Sequence, residues 1–400
     1  MKILHTSDWH IGQTLYAKKR HEEHGKFLAW LKETILARGI DALIVAGDVF
    51  DTGAPGGAAQ RLYYDFLTSL LETCCKTVVV VAGNHDSPLL LEAPAGVLER
   101  LNIHTIGLPG EPERHVIPLR GADGAVEALC CAVPYLRRND MVRSDDDITT
   151  DEKIVRATAQ VYDELAQAAQ LARVQYGEVP IIATGHLFAA GAARGEGDGV
   201  RELYVGSLGQ VGAEVFPDAF SYVALGHIHG AQRVAGQERI RYSGAPLPMS
   251  FSEAGARKVL LEITPGDTLK VEEIEIPSFQ RLVTVSGSRE EIMARLADLA
   301  EQDIWIEVTH TGDTLCAHLS ADVYDAVKDK PAQVLSVRDT AAVKNAIGAS
   351  GSAETLETVA VQDVFLRCLT EGGYSEAQQH EMIDCFDEII AAMEEAAACE

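Results

Sequence analysis

Asp41-Ala-Leu-Ile-Val-Ala-Gly-Asp-Val-Phe-Asp51 is an apolar run that stops at Gly47 and is followed at once by a carboxylate, Asp48. A short run of this kind, partly β-branched and closed by a turn residue, reads as a buried strand. The C-terminal end of such a strand is where open α/β sheets place ligands. A single Gly-Asp after a strand more often starts a turn or caps a helix, so the reading depends on repetition.

The pattern is written five times. Lys2-Ile-Leu-His-Thr-Ser7 runs into Asp8-Trp9-His10, and Thr77-Val-Val-Val-Val-Ala-Gly83 runs into Asn84-His85-Asp86. Pro180-Ile-Ile-Ala-Thr-Gly185 runs into His186, and Tyr222-Val-Ala-Leu-Gly226 into His227-Ile228-His229. Four of the five have Gly directly before the polar residue, which lets the backbone turn sharply and approach a bound group closely. Side by side in one fold, these ends bring together Asp8, His10, Asp48, Asn84, His186, His227 and His229. A lone Gly-His is usually structural, but Asp-x-His and His-x-His place alternate residues on one side of a strand end. Five such coincidences, all with metal-donor residue types, favour a metal site.

About seven O and N donors are too many for one tetrahedral zinc with an open position. They suit two ions about 3.5–4 Å apart, with the central carboxylate Asp48 as the natural bridge. Imidazole and carboxylate donors without thiolate fit Mn²⁺, Fe²⁺ or Zn²⁺. The donor types do not choose among the three; Mn²⁺ is the expected ion without a residue-level reason.

The series Asp8-x-His10, Gly47-Asp48, Gly83-Asn84-His85-Asp86, Gly185-His186 and Gly226-His227-x-His229 resembles that of the calcineurin-like metallophosphoesterases. The flanking words His5-Thr-Ser-Asp-Trp-His-Ile-Gly-Gln13, Val45-Ala-Gly-Asp-Val-Phe-Asp-Thr-Gly53 and Ala224-Leu-Gly-His-Ile-His229 are similar to the bacterial SbcD family of DNA-repair exonuclease subunits. The likeness extends to the C-terminal end. It implies one metal held by Asp8, His10, Asp48 and His229, and another by Asp48, Asn84, His186 and His227. It implies two-metal hydrolysis of phosphodiesters, as a double-strand 3′-5′ exonuclease and a single-strand or hairpin endonuclease in repair, recombination and replication.

His85 is the one imidazole of the cluster not needed for metal, so it is the expected proton donor to the leaving oxygen. Asp86 is the carboxylate expected to orient it. Related archaeal and eukaryotic nucleases carry a second histidine after the Gly-Asp. Here the loop reads Val49-Phe50-Asp51, and whether Asp51 stands in that position is open. His5, His21, His24, His104, His115, His310, His318 and His380 lack this context and read as structural or solvent-facing.

A chain of 400 residues exceeds one ordinary core. The expected fold class is α/β: a two-sheet metallophosphoesterase sandwich flanked by helices, with a small α+β capping domain and a C-terminal helical hairpin. The nuclease domain is expected over 1–278. It opens βαβαβ, with helices near 21–38, 58–72 and 89–101, and a long helix over 154–176. Strands near 240–246, 258–264 and 269–276 are expected to complete the second sheet. Between His186 and His227, Ala189 to Gly199 reads as a mobile loop. A capping domain is expected over 279–344, a linker over 345–353 and two amphipathic helices over 354–400. Ser375 and Gln378 are spaced as a capping box in the last of these.

By resemblance, those helices dock on the coiled coil of an SbcC-type ATPase. The Leu-rich stretches around 62–71 and 89–101 are core, or in part a surface for a homodimer within a heterotetramer. Lys18, Lys19, Arg20, Arg137 and Arg138 are candidate DNA contacts, although such basic clusters are as often solvated surface.

Net charge is −26, and residues 281–400 hold 8 basic against 23 acidic side chains. That balance disfavours a DNA-coating surface, but not a nuclease whose cations hold the phosphate. Met1-Lys-Ile-Leu-His5 already reads as strand with no export signal before it, and no apolar run approaches the ~20 residues of a membrane span. The eight cysteines show no Cys-x-x-Cys spacing and read as reduced thiols, so a cytoplasmic protein is expected. A small-molecule or protein phosphatase is the alternative activity, and a non-catalytic scaffold the third class.

Overall fold

The computed structural model describes residues 1–137, 150–189, 211–266, 268–312, 316 and 318–340, together with Met382, Ile383 and Phe386. By its internal contacts the chain divides into Met1–Asp339 and Thr340–Glu400. Beyond Ala189, the loop expected over 189–199 lies outside the described residues, as do the linker expected at 345–353 and the helices expected over 354–400, apart from those last three residues, which are helical.

Two six-stranded sheets carry the larger part of the first unit. Its strands are β1 (Ile3–Thr6), a hairpin of β2 (Thr14–Leu15) and β3 (Lys18–Lys19), β4 (Ala42–Ala46), β5 (Thr77–Val81), β6 (Ile103–Ile106), β7 (Val116–Arg120) and β8 (Val126–Cys131). Then follow β9 (Ile181–His186), β10 (Phe220–Gly226), β11 (Gln232–Val234), β12 (Gln237–Tyr242), β13 (Val259–Thr264) and β14 (Lys270–Glu275). The first sheet runs β14-β13-β1-β4-β5-β6 and the second β11-β12-β10-β9-β8-β7. Within them β1, β4, β5 and β6 are mutually parallel, as are β8, β9, β10 and β12.

Alternate residues of each strand face different layers, as a period of two requires. Ile3, Ile44, Val79, Ile182 and Tyr222 pack between the sheets. Leu4, Leu43, Val45 and Val80 face helices His21–Arg38 and Gly57–Ser69 through Phe27, Leu31, Ile35 and Phe66. On the other side Cys131, Ala183, Val223 and Leu225 pack with Tyr162 and Leu165 of helix Thr150–Tyr176. Both faces of each central strand are therefore buried, which is why these strands read as continuous apolar runs.

Two expectations need correction. β13 and β14 extend the first sheet, not the second: β13 runs antiparallel to β1 and β14 antiparallel to β13. β14 is an edge strand, mostly exposed, whose Glu272 and Glu273 pair with Arg38 and Arg241. Its own alternation shows that it is an edge, but not of which sheet. The helical stretch over 89–101 is broken by Pro94 into Pro88–Glu92, Ala95–Leu98 and a 3₁₀ turn at Glu99–Leu101.

Beyond these sheets, β15 (Arg281–Gly287), β16 (Ile304–His310) and β17 (Gln333–Asp339) form a parallel three-stranded sheet. Helices Arg289–Leu299 and Leu319–Ala326 are the crossovers, and the first starts at a capping box of Ser288 and Glu291. This sheet meets the β2–β3 hairpin. Leu15 and Phe251 bury against Leu282 and Trp305, Tyr16 donates to Glu307 Oε1 at 2.6 Å, and Lys18 donates to Gln333 Oε1 at 2.7 Å. Among the described residues, no helix is long and apolar enough to cross a membrane.

Candidate active site

Parallel neighbours finish at one edge, so β1, β4 and β5 deliver Asp8, Asp48 and Asn84 together, while β9 and β10 deliver His186 and His227 from the facing sheet. Backbone bonds lock these ends to each other. Asp8 N–H donates to the Gly47 carbonyl at 2.9 Å, His10 N–H to the Asp48 carbonyl at 3.0 Å and Ile11 N–H to the Val49 carbonyl at 2.9 Å. Four of the seven expected ligands sit in left-handed backbone: Asp8 (φ 53°), His10 (45°), Asp48 (49°) and His227 (103°). For residues with a Cβ this costs of order 1–3 kcal/mol each and persists only where the surroundings over-determine it. Four expected ligands thus carry this cost.

The glycines before them have a packing reason. A Cβ on Gly47 would enter the His186 ring, one on Gly83 would enter Asp48, and one on Gly226 would meet the Ala46 carbonyl and the His186 ring. The close approach is thus between neighbouring strand ends.

The side chains converge. His186 Nε2 lies 2.9 Å from Asn84 Oδ1 and 3.3 Å from Asp48 Oδ2, while its Nδ1–H donates to the Ala46 carbonyl at 2.9 Å. Asn84 Oδ1 also faces His227 Nδ1 at 3.0 Å. His10 Nε2 is 3.6 Å from Asp48 Oδ2, and the His10 and His229 rings stand edge to face at 5.2 Å between centroids. Asp8 accepts from the Ser7 hydroxyl and from the His227 N–H at 2.9 Å. Asp48 accepts the His85 N–H at 2.9 Å.

Burial and mutual charge set the titrations. Burial pushes the Asp8 carboxyl up to about 6, with the Asp48 charge adding to it and His186 opposing. Burial would also raise Asp48, but His186 and His10 hold it far below the usual carboxylate range. His186, disfavoured as a cation by burial, is still pushed up to about 9 by Asp48. Burial and the His10 charge hold His229 well below an ordinary imidazole.

Divalent cations fit this donor set. His186 Nε2 faces only oxygens, so a proton or a cation has to sit among them. Both ring nitrogens of His10 are buried and face carboxylates at long range, Nδ1 toward Asp51 Oδ1 at 3.4 Å and Nε2 toward Asp48 Oδ2 at 3.6 Å. The ligand atoms of Asp8, His10 and His229 all lie within 4.8 Å of one another, as do those of Asp8, Asp48 and His186. A third such group, His10, Asp51 and His85, includes two side chains outside the expected ligand set.

The remaining expected residues divide. His85 borders a cleft of about 570 Å³ that Asn84, Leu108 and Arg137 also line. Its Nδ1 lies 2.9 Å from the Asp51 carbonyl. Asp86 does not have the orienting role expected of it. Its carboxylate accepts from Gly83 N–H at 2.8 Å, Phe50 N–H at 2.9 Å and Val49 N–H at 3.1 Å, so it ties the β4 and β5 loops together. Burial pushes that carboxyl up to about 6, against those three donors.

Arg20 departs from the expectation for the basic triplet. It is 1% exposed, bonded to Glu23 Oε2 at 2.7 Å and to the Pro248 carbonyl at 2.7 Å, so it cannot reach a phosphate backbone. Lys19 is exposed, Lys18 contacts the small sheet, and Arg137 is exposed beside the Asp86 carbonyl at 3.4 Å. Arg138 lies outside the described residues.

Sequence reasoning missed the supports from distant segments. Ser243 bonds Ser7 at 2.8 Å, Tyr135 packs edge-on against the His186 ring, and Lys258 donates to the His229 carbonyl at 3.3 Å. None belongs to a periodic pattern or to the five motifs.

The crossing of strand ends, the doubled donor set and the two-sheet core define a class. Residues 1–231 match the family model described as Calcineurin-like phosphoesterase, and the chain belongs to that family. Residues 278–372 match a second model, described as Type 5 capsule protein repressor C-terminal domain. Within the larger family the chain groups with the SbcD nuclease subunits. It is 37% identical over 396 residues to the SbcD nuclease subunit of Escherichia coli (strain K12), covering 96% of this chain and 97% of that one. The same-named proteins of Rhodobacter capsulatus and Bacillus subtilis are 43% identical over 265 residues and 36% identical over 314. Those matches cover 64% of both chains in the first case, and 77% of this chain and 78% of the relative in the second.

Proposed function

We propose that this chain is the nuclease subunit of an SbcCD-type complex, a phosphodiesterase that hydrolyses DNA with two divalent ions, Mn²⁺ being the expected species. The observation that carries the reading is the convergence of Asp8, His10, Asp48, Asn84, His186, His227 and His229 at one strand edge, with His10 Nε2 buried and turned toward Asp48. Asp8, His10, Asp48 and His229 hold one ion, and Asp48, Asn84, His186 and His227 the other. Bound there, divalent ions supply Lewis-acid charge at the phosphoryl group and activate the attacking water.

The chain's own groups do the rest. A carbonyl only accepts, so His85 Nδ1 carries the hydrogen in its contact with Asp51; acting as the acid, the ring is an imidazolium whose Nε2–H passes its proton to the leaving oxygen and leaves the neutral Nδ1–H ring. Asp86 keeps Asn84 and Asp48 in register through its three backbone bonds. Lys18, Lys19, Arg137 and Arg138 are proposed DNA contacts, acting on phosphates without reading sequence. Residues 279–344 cap the nuclease domain of 1–278. Beyond the 345–353 linker, the helices of 354–400 dock on the coiled coil of an SbcC-type ATPase. The assembly is a heterotetramer built on a homodimer, in the cytoplasm, and acts on duplex ends and hairpins.

The test is hydrolysis of duplex DNA ends and of a generic phosphodiester with Mn²⁺, with and without the ATPase partner, for wild type and Asp48→Asn. Metal-dependent DNA cleavage that Asp48→Asn abolishes supports the reading. Turnover of small phosphate esters with DNA intact in every condition refutes it in favour of a phosphatase.

A further inference from the structure

We propose that Asp51 is a positioning residue for two imidazoles at once, its carboxylate orienting His10 toward the metal site and its backbone carbonyl fixing the tautomer of His85. The inference rests on the two-ion reading above.

The loops after β1 and β4 run alongside each other as a short parallel ladder. His10 N–H bonds the Asp48 carbonyl, Ile11 N–H bonds the Val49 carbonyl, and Asp51 N–H reaches back to the Ile11 carbonyl at 3.4 Å. Ile11 and Phe50 pair as an isolated parallel bridge. This register sets residue 51 beside residue 10. Asp51 Oδ1 then lies 3.4 Å from His10 Nδ1, while the opposite ring nitrogen, Nε2, points at Asp48 Oδ2 at 3.6 Å. A histidine that ligates a metal through one nitrogen commonly gives its other N–H to a carboxylate, which fixes ring and tautomer. His10 is buried, and Asp51 Oδ1 is the carboxylate facing its Nδ1.

The second contact uses a different part of the residue. His85 Nδ1 is 2.9 Å from the Asp51 main-chain oxygen, so this hold is independent of the Asp51 side chain. The T-shaped contact of the His10 and His85 rings, 4.9 Å between centroids, places both imidazoles against the one loop. The two roles are therefore separable by mutation: changing the side chain should disturb His10 and spare His85.

The experiment compares wild type with Asp51→Asn, Asp51→Ala and Asp51→Glu by calorimetric Mn²⁺ titration, by melting in EDTA, and by DNA hydrolysis across pH at saturating Mn²⁺. For Asn and Ala we expect one of the two Mn²⁺ affinities to fall about 10–100-fold, the usual effect of losing an outer-sphere partner. The melting temperature in EDTA and the shape of the pH profile should stay as in wild type. If Asn and Ala melt lower, the charge-retaining Glu variant decides: recovery of affinity supports orientation by the carboxylate, and equal loss in all three overturns it. Unchanged Mn²⁺ affinity in Asp51→Asn overturns it, and complete loss of one ion overturns it too, by making Asp51 a ligand. A wild type that binds no Mn²⁺ would instead defeat the two-ion reading itself.

Discussion

Replacing His85 by Gln separates proton donation from metal binding. Its Nδ1 is held by the Asp51 carbonyl and it lies outside the proposed ligands, so Gln removes the imidazole without removing a donor from either ion. A positioned general acid contributes about 10²–10⁴ in rate, which is about 2.7–5.5 kcal/mol at 1.36 kcal/mol per decade. That contribution matters only when the leaving group needs a proton. Steady-state rates on duplex DNA, whose leaving group is a sugar alkoxide, should therefore fall by about 10²–10⁴. Rates on bis(p-nitrophenyl) phosphate, whose phenolate leaves unprotonated, should change by no more than about threefold. Calorimetric Mn²⁺ affinity should be that of wild type. Equal losses on both substrates, or no loss on DNA, would refute the assignment of His85 as the acid.

Three further outcomes follow from the packing and charges. Gly226→Ala drives a Cβ into the Ala46 carbonyl and the His186 ring, so it should destabilise by about 1–3 kcal/mol or more and weaken Mn²⁺ binding, read by melting and calorimetry. Arg20→Ala leaves Glu23 buried without its ion partner; denaturant unfolding should show a loss of about 3–5 kcal/mol, with the salt dependence of DNA binding unchanged. His5 is buried beside Tyr222, and burial, with Arg241 adding and the Leu225 backbone opposing, holds its pKa down at about 3 against 6.5. Its folded pKa lies below the unfolded one, so the stabilising effect is complete above pH 6.5 and is lost as pH falls toward 3. Between pH 6.5 and 5 stability should drop by about 2 kcal/mol from this group alone. In EDTA, His5→Gln should flatten the stability–pH slope by about one proton, and an identical slope would refute this.

Much of the site could be read in advance because its signals are local. Each ligand follows an apolar run and a punctuating residue, and parallel strands then bring separate motifs to one edge without further instruction. The parts that could not be read depend on partners far away in the chain. Strand β13 joined the first sheet because β1 offered it an open edge, which nothing within Val259–Thr264 encodes. Arg20 looks like a solvated charge until Glu23 and the Pro248 carbonyl close around it. Asp86 looks like a histidine partner from its neighbour His85, yet three backbone N–H groups claim its oxygens. Tyr135 and Lys258 sit behind the ligands on segments with no motif of their own.

Anomalous scattering from crystals of the full chain soaked in Mn²⁺ would locate the two ions directly. The expected result is two peaks about 3.5–4 Å apart with Asp48 between them, Asn84, His186 and His227 around one, and Asp8, His10 and His229 around the other. A single peak, or peaks away from these seven side chains, would contradict the two-ion reading.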